Sequence, residues 1–347
     1  MKGNERRLFS QFDWQLGGCI LTILFLGMLN LYSSTYNLPI SRYFDAQLIW
    51  VAVGLLIMFA VSWIDYRVME RFSEFIYWAT VASLGLVLAV GRVSQGARRW
   101  IGVGPVVFQP SEIMKIAIVI MLARHFQKKF DGRPMGLREL ALPFLYSAIP
   151  FGLILKQPDL GTGLVVFSTG VSMILFVGVR KKILATAAIL VAVSIPLVWE
   201  FGLHDYQRER VITFLNPEKY PLDKGYQVIQ SKIGIGSGEL AGKGYLKGTQ
   251  SKLQFLPKQH TDFAFSNFGE EFGFVGSTLL LALYASLGIL GFNIAFTSRD
   301  SFGMYIAFGL TSLVMLETFI NFGMESGLLP VVGMTLPLFS YGGSSLI

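Results

Sequence analysis

Ten apolar runs, near residues 15–33, 46–64, 75–91, 111–126, 140–155, 160–178, 182–201, 268–296, 302–323 and 329–347, constrain this chain more than any other feature. A helix needs roughly 17–25 residues to cross a bilayer, which is the length class of these runs. Hydrocarbon offers no water to an unpaired N–H or C=O, so each run must close its hydrogen bonds internally, as a helix. Composition agrees: 53% of the 347 residues are hydrophobic and 15% are charged, against about one quarter charged in soluble domains. The expectation is an all-α polytopic membrane protein forming one membrane domain over 1–347. Helices one to seven fall in 1–201, a large extracytoplasmic loop in 202–264 and helices eight to ten in 265–347.

The first run follows Arg6 and Arg7, extends into Tyr32-Ser-Ser-Thr and has no small-residue cleavage site, so it reads as a retained helix. The single cysteine, Cys19, lies inside it and permits no intrachain disulfide. Orientation follows from short loops, because Lys and Arg accumulate on the cytoplasmic side. With the N-terminus inside, the inner segments carry Lys2, Arg6, Arg7, Arg67, Arg71, Arg124, Lys128, Lys129, Arg133, Arg138, Arg180, Lys181, Lys182 and Arg299. The short outer ones carry only Arg42, Arg92, Arg98, Arg99 and Lys156. The expected location is the inner (plasma) membrane, multi-pass, with a cytoplasmic N-terminus.

This topology puts a polar island, 204–261, outside. It has no hydrophobic pattern of its own, yet its spaced Gly, aromatic and basic residues are unlike a solvating linker. Residues 202–264 hold nine Lys and Arg against six Asp and Glu, which favours an anionic partner such as a phosphorylated lipid head. Nucleic acid is not expected on that face.

Three polar clusters interrupt the spans, and ionisable groups at membrane depth usually face a cavity or a partner. In Gln109-Pro-Ser-Glu-Ile-Met-Lys115, Pro110 and Ser111 make a helix start with Ser111 as cap, and Glu112 and Lys115 share one face. Lys156-Gln-Pro-Asp-Leu-Gly-Thr162 is a proline break carrying Asp159, which could meet Lys115 across the bundle as an ion pair or could touch substrate. If the two pair, replacing one partner should hurt more than replacing both, because it strands a buried charge. The third cluster runs from Asn321-Phe-Gly-Met-Glu to Ser340-Tyr-Gly-Gly-Ser344. Its prolines and glycines either line a cavity or let helices pack closely.

In their order and spacing these segments resemble the SEDS family (shape, elongation, division and sporulation). The motifs are Gly96-Ala-Arg-Arg-Trp100, Gln109-Pro-Ser-Glu-Ile-Met-Lys115, Lys156-Gln-Pro-Asp-Leu-Gly-Thr162, Gln230-Ser-Lys-Ile-Gly-Ile-Gly-Ser-Gly238, Gly242-Lys-Gly244, Gly248-Thr-Gln250, Phe255-Leu-Pro257, His260-Thr-Asp-Phe263 and Ser340-Tyr-Gly-Gly-Ser344. Pro330-Val-Val-Gly333 is more similar to the elongation branch than to the division branch. The resemblance implies a ten-helix membrane fold and a peptidoglycan glycosyltransferase that polymerises lipid II at the outer face. It also implies a class B penicillin-binding protein as partner. Glu239 stands where the family carries glycine, and the chain stops at Ile347, so the tenth helix is expected to be cut short.

The implied reaction suits the residues. A sugar hydroxyl attacks an anomeric carbon whose leaving group, a polyprenyl pyrophosphate, departs as an anion without protonation. One carboxylate therefore suffices, unlike in glycosidases. Asp262 is the expected general base, giving inversion. Read from its position alone, Asp262 is equally a helix cap; the resemblance favours catalysis. Glu270 and Glu271 lie about 12–13 Å further along a helix and are assigned to packing or positioning. Arg98, Arg99, Lys115, Arg210, Lys243 and Lys258 are candidates for binding the pyrophosphate, and His260 for orienting substrate. Glu112, Ser111 and Asp159 are positioning candidates. No ligand spacing marks a dedicated metal site, although a divalent cation, Mg or Mn, could assist the leaving group. The rival classes are a lipid II flippase or transporter, which would gather its polar groups at the bilayer midplane, and a non-catalytic scaffold, in which Asp262 would be dispensable.

Overall fold

The computed structural model describes residues 13–36, 41–94, 97–103, 106–129, 132–202, 205–219, 225–252, 255–257 and 259–343. In chain order the main elements are α1 (Trp14–Thr35), α2 (Ser41–Ser62) and α3 (Arg67–Val90), followed by strands β1 (Arg92–Ser94), β2 (Ala97–Val103) and β3 (Val106–Phe108). Next come α4 (Pro110–Lys129), α5 (Leu137–Lys156), α6 (Leu160–Val177) and α7 (Lys181–Leu197), the last running on as a π turn through Gly202. The 202–264 segment contributes α8 (Asp205–Leu215), α9 (Tyr226–Ser237) and the single turn α10 (Thr249–Lys252); α11 (Ala264–Thr297) and α12 (Ser301–Glu325) complete the bundle. Eight of these helices are long and apolar enough to span a membrane. Charges at both ends of α4 dilute its hydropathy, yet it is the most enclosed helix, with Met114, Ala117, Ile118, Val119, Leu122 and Ala123 all sealed from solvent.

Two large apolar cores, with a small third one at Val165, Leu313 and Met334, hold the bundle. The first is built on α4, with Tyr77 and Leu84 of α3, Ile154 of α5, Met173 and Ile174 of α6, and Phe302 and Tyr305 of α12. The second joins Cys19 and Ile23 of α1, Phe265, Phe268 and Tyr284 of α11, and Leu336 and Phe339. By contrast α7 has no buried residue.

The expected all-α membrane fold is present, with three local differences. A small antiparallel meander, β1-β2-β3, occupies Arg92–Phe108 and is too short to leave a clear alternating pattern. The 204–261 island is not patternless: α9 packs its Val228, Ser231 and Gly234 face against α11. That face escapes hydropathy because it is built of small residues; a Cβ on Gly234 would lie 2.7 Å from Ser266 Oγ.

The third difference concerns the expected tenth span. After α12 the chain from Gly327 to Gly342 is irregular, and 344–347 lie outside the described residues. Pro330, Pro337, Gly333 and Gly342 work against a helix here, and the exposed backbone groups find other partners. Asn321 Nδ2 donates to Met334 O at 2.7 Å, Tyr284 Oη to Pro337 O, and Gln47 Nε2 to Ser340 O at 3.3 Å.

Candidate active site

Asp262 is buried in the last turn before α11. Phe263, not Asp262, occupies the N-cap position, and no side chain of its own caps the helix. The capping is supplied from α12: the fully buried Glu325 accepts from Phe265 N at 3.3 Å and Ser266 N at 2.6 Å. Capping of α11 therefore does not account for Asp262.

The Asp262 backbone is fixed by Asn321, whose Nδ2 donates to Asp262 O at 3.2 Å while also holding Met334 O. The carboxylate lies against the irregular tail: a Cβ on Gly333 would sit 3.5 Å from Asp262 Oδ2, and Gly333 has φ +74°, a left-handed conformation that glycine adopts without strain. The same stretch reaches the start of α6, where a Cβ on Gly161 would lie 3.2 Å from Val332 O and from Met334. The tail thus joins the Asp262 and Asp159 clusters, which are about one hundred residues apart in sequence.

His260 precedes this turn. Its ring lies 4.9 Å from Tyr43 and 5.9 Å from Tyr341, and its carbonyl accepts from Tyr341 N at 2.9 Å. Burial lowers its pKa below the ordinary 6.5, partly offset by the neighbouring Asp262 charge.

The sequence candidates are not gathered at one point. Lys115 and Asp159 do not pair with each other. Lys115 Nζ is 2.6 Å from both Glu112 Oε2 and Glu317 Oε1, so its i, i+3 neighbour and an acid on α12 hold it. Asp159 caps α6, accepting from Thr162 N at 3.3 Å and Thr162 Oγ1 at 3.1 Å, and lies 3.7 Å from Arg99 Nη1. Arg99 also donates to the carbonyls of Gln157 and Pro158, pinning β2 to the proline break. Ser111 is not the cap of α4, which starts one residue earlier at Pro110; its hydroxyl accepts from Gln109 Nε2 at 2.9 Å.

Lys243 is 2.6 Å from Glu270 Oε1, and Glu270 also accepts from Thr249 N and Oγ1 at 2.8 Å. Glu270 therefore anchors the 243–250 loop to α11. Glu271 takes Ser33 of α1 as a partner. Between them and the lower part of α11 lies Gly273, with φ +64° and ψ −159°, a break in the helix. The freed groups are met by the loop: Phe274 N donates to Glu239 O at 2.8 Å and Lys243 N to Glu270 O at 3.0 Å. The side chains of Arg98 and Arg210 and the whole of Lys258 fall outside the described residues.

Sequence reasoning missed the roles of Glu317, Glu325 and Asn321. Glu317 carried a usable signal, an acid inside an apolar run. Glu325 and Asn321 stood in a quoted motif, but capping of a helix 60 residues away has no local signature. Among the described residues no group of three or more His, Cys, Asp and Glu side chains is placed to hold a metal ion.

The family profile of FtsW, RodA and SpoVE, described as "Cell cycle protein", matches residues 14–347. The chain is 46% identical over 297 residues to the peptidoglycan glycosyltransferase MrdB of Escherichia coli K12, covering 86% of this chain and 80% of that protein. Its structure is similar to a chain from work on the structural coordination of polymerization and crosslinking by a peptidoglycan synthase complex. There the TM-score is 0.83 at 33% identity, covering 96% of this chain and 93% of the other. It is also similar to the crystal structure of the rod shape determining protein RodA of Thermus thermophilus, with TM-score 0.71, 30% identity and coverage of 96% and 92%.

Proposed function

The chain belongs to the FtsW, RodA and SpoVE family and is an integral membrane peptidoglycan glycosyltransferase; from that premise we propose that it polymerises lipid II with Asp262 as general base. The observation that carries the assignment is the division of labour at the head of α11. Glu325 caps the helix and Glu270 anchors the loop, while Asp262, its backbone carbonyl held by Asn321, presents its carboxylate toward Gly333.

The acceptor hydroxyl oxygen forms a bond to the anomeric carbon of the donor, from the face opposite the leaving group. The bond from that carbon to the pyrophosphate oxygen breaks, and its electron pair leaves with the polyprenyl pyrophosphate. The hydroxyl proton passes to Asp262, so the anomeric centre inverts. A divalent cation, if carried in with the pyrophosphate, finds no resident cage among the described residues. Arg98, Arg210, Lys243 and Lys258 are the proposed holders of the leaving group.

The outer-face location and a cytoplasmic N-terminus rest on the distribution of Lys and Arg. A class B penicillin-binding protein is the proposed partner, supplying crosslinks to the strands made here. The membership of this chain with MrdB and RodA relatives supports a role in elongation.

The test is direct. Purified protein, with and without the partner, is given lipid II, and glycan strands are separated by size for wild type, Asp262→Ala and Asp262→Asn. Strands from wild type alone support the assignment. Polymer from all three removes Asp262 as the base, and no polymer from any, with lipid II crossing vesicle membranes, revives the flippase.

A further inference from the structure

The end of the bundle remote from Asp262 holds a second site. Phe126 of α4 packs on Tyr305 of α12 with ring centroids 5.6 Å apart. Tyr305 lies twenty residues before Glu325 on the same helix, so about 30 Å separates this end from the Asp262 region. Here α4 ends and α5 begins, and a cavity of about 240 Å³ opens between them. Its polar wall is Lys129, Arg133, Arg138 and His125, with a single carboxylate, Glu139.

That carboxylate is already engaged. Glu139 Oε2 accepts from Gly136 N at 2.5 Å, closing the first turn of α5. Arg180 stands beside it, since a Cβ on Gly136 would lie 3.4 Å from Arg180 Cζ and 3.5 Å from Glu139 Oε2. Among the described lining residues the remaining charged side chains, Lys129, Arg133 and Arg138, are cationic. The other wall is apolar, made of Phe126, Met135 and Leu142. It continues along the exposed surface of α5 to Leu145, one turn on from Leu142 and 49% exposed.

A cationic recess opening onto an apolar helix face at a membrane border matches one ligand class. Free phosphate uses only the cations, and an uncharged lipid uses only the apolar track. We propose that this cavity is a binding site for the phosphodiester headgroup of an anionic phospholipid, with acyl chains lying along α5. Basic recesses between helices on the side rich in Lys and Arg are suited to such headgroups, and the guanidinium fork of Arg133 or Arg138 fits two phosphate oxygens at once.

The experiment uses the full-length protein in dodecyl maltoside. Its melting midpoint is followed by intrinsic fluorescence after addition of dioleoylphosphatidylglycerol, dioleoylphosphatidylcholine or inorganic phosphate. Wild type should gain several degrees more from phosphatidylglycerol than from phosphatidylcholine. Arg133→Gln/Arg138→Gln should lose at least half of that increment, and Lys219→Gln/Lys247→Gln, which removes as much charge elsewhere, should keep it. Should the pocket variant not fold, Arg138→Gln alone serves, because Arg138 is exposed, and native mass spectrometry counts the retained lipid. Equal effects of the two lipids, an increment surviving in the pocket variant, or equal loss in the control overturns the site. A full shift from inorganic phosphate alone overturns the lipid assignment in favour of a free anion.

Discussion

Two acidic clusters sit near the same end of the bundle and are wired differently. At Lys115 the ammonium lies 2.6 Å from each of two carboxylates, Glu112 on its own helix and Glu317 across the interface. At the head of α11 the buried Glu325 is met by backbone N–H groups, while Asp262, 63 residues earlier, faces Gly333. The first arrangement consumes its charges in holding α4 to α12. The second uses one carboxylate to hold a helix end so that another is presented beside it. An ionisable group at membrane depth is thus a weak pointer to chemistry until the groups around it are known.

The sharpest way to break this contrast is to neutralise the carboxylate presented beside the capped helix. Asp262→Asn keeps the size of the side chain and should cut polymerisation roughly 10²–10⁴-fold while leaving the melting midpoint within a degree or two. A variant that polymerises normally, or that unfolds, would move Asp262 into the structural class with Glu325.

The Lys115 cluster predicts the reverse pattern. Lys115→Met strands two carboxylates and should cost about 3–5 kcal/mol of stability. Adding Glu112→Gln and Glu317→Gln should recover most of it, read as melting in detergent. Activity should follow folded fraction rather than fall on its own. If the triple variant melts no higher than the single one, the cluster does more than neutralise itself.

How far the sequence reveals these clusters follows from the range of the forces involved. Membrane spans are legible because hydrocarbon imposes the same demand on every residue of a run. Asp262 is legible through its motif, and Glu112 with Lys115 through helix spacing. Glu317 as the partner of Lys115 is not, because the contact spans 202 residues and nothing local selects it over Asp159. The tail after Glu325 reads as a tenth helix by hydropathy, since hydropathy counts side chains and not the backbone groups that Pro330 and Pro337 cannot donate. α9 is missed for the opposite reason: its buried Ser231 and Gly234 suit close packing but contribute no apolar signal.

Glu325 tests the link between the two roles. Glu325→Gln keeps one acceptor oxygen for the N–H groups of Phe265 and Ser266 but puts an amide donor in place of the other. A loss of about 1–2 kcal/mol is expected from the lost hydrogen bond, with kcat lowered by displacement of Asp262 and KM little changed. His260 gives the pH counterpart. Burial holds its pKa below 6.5, so it favours folding fully above that value, and this contribution is lost as pH falls below 6.5 toward the folded pKa. His260→Gln should therefore weaken the acid-side fall in stability, and a wild-type pH profile in the variant would assign that fall elsewhere.

The smallest effect concerns the loop that holds the broken helix. Glu239 has φ +48° and its carbonyl takes Phe274 N at the Gly273 break. A side chain in the left-handed region costs about 1 kcal/mol or more, which glycine avoids, although glycine also gains freedom in the unfolded chain. Glu239→Gly should therefore raise the melting midpoint by about 1–2 °C with polymerisation within about twofold of wild type. Glu239→Val, β-branched in the same conformation, should lower it. Opposite signs would mean that the Glu239 carboxylate itself contributes to the loop, and that this loop belongs with the charge-consuming cluster rather than with the scaffold that presents Asp262.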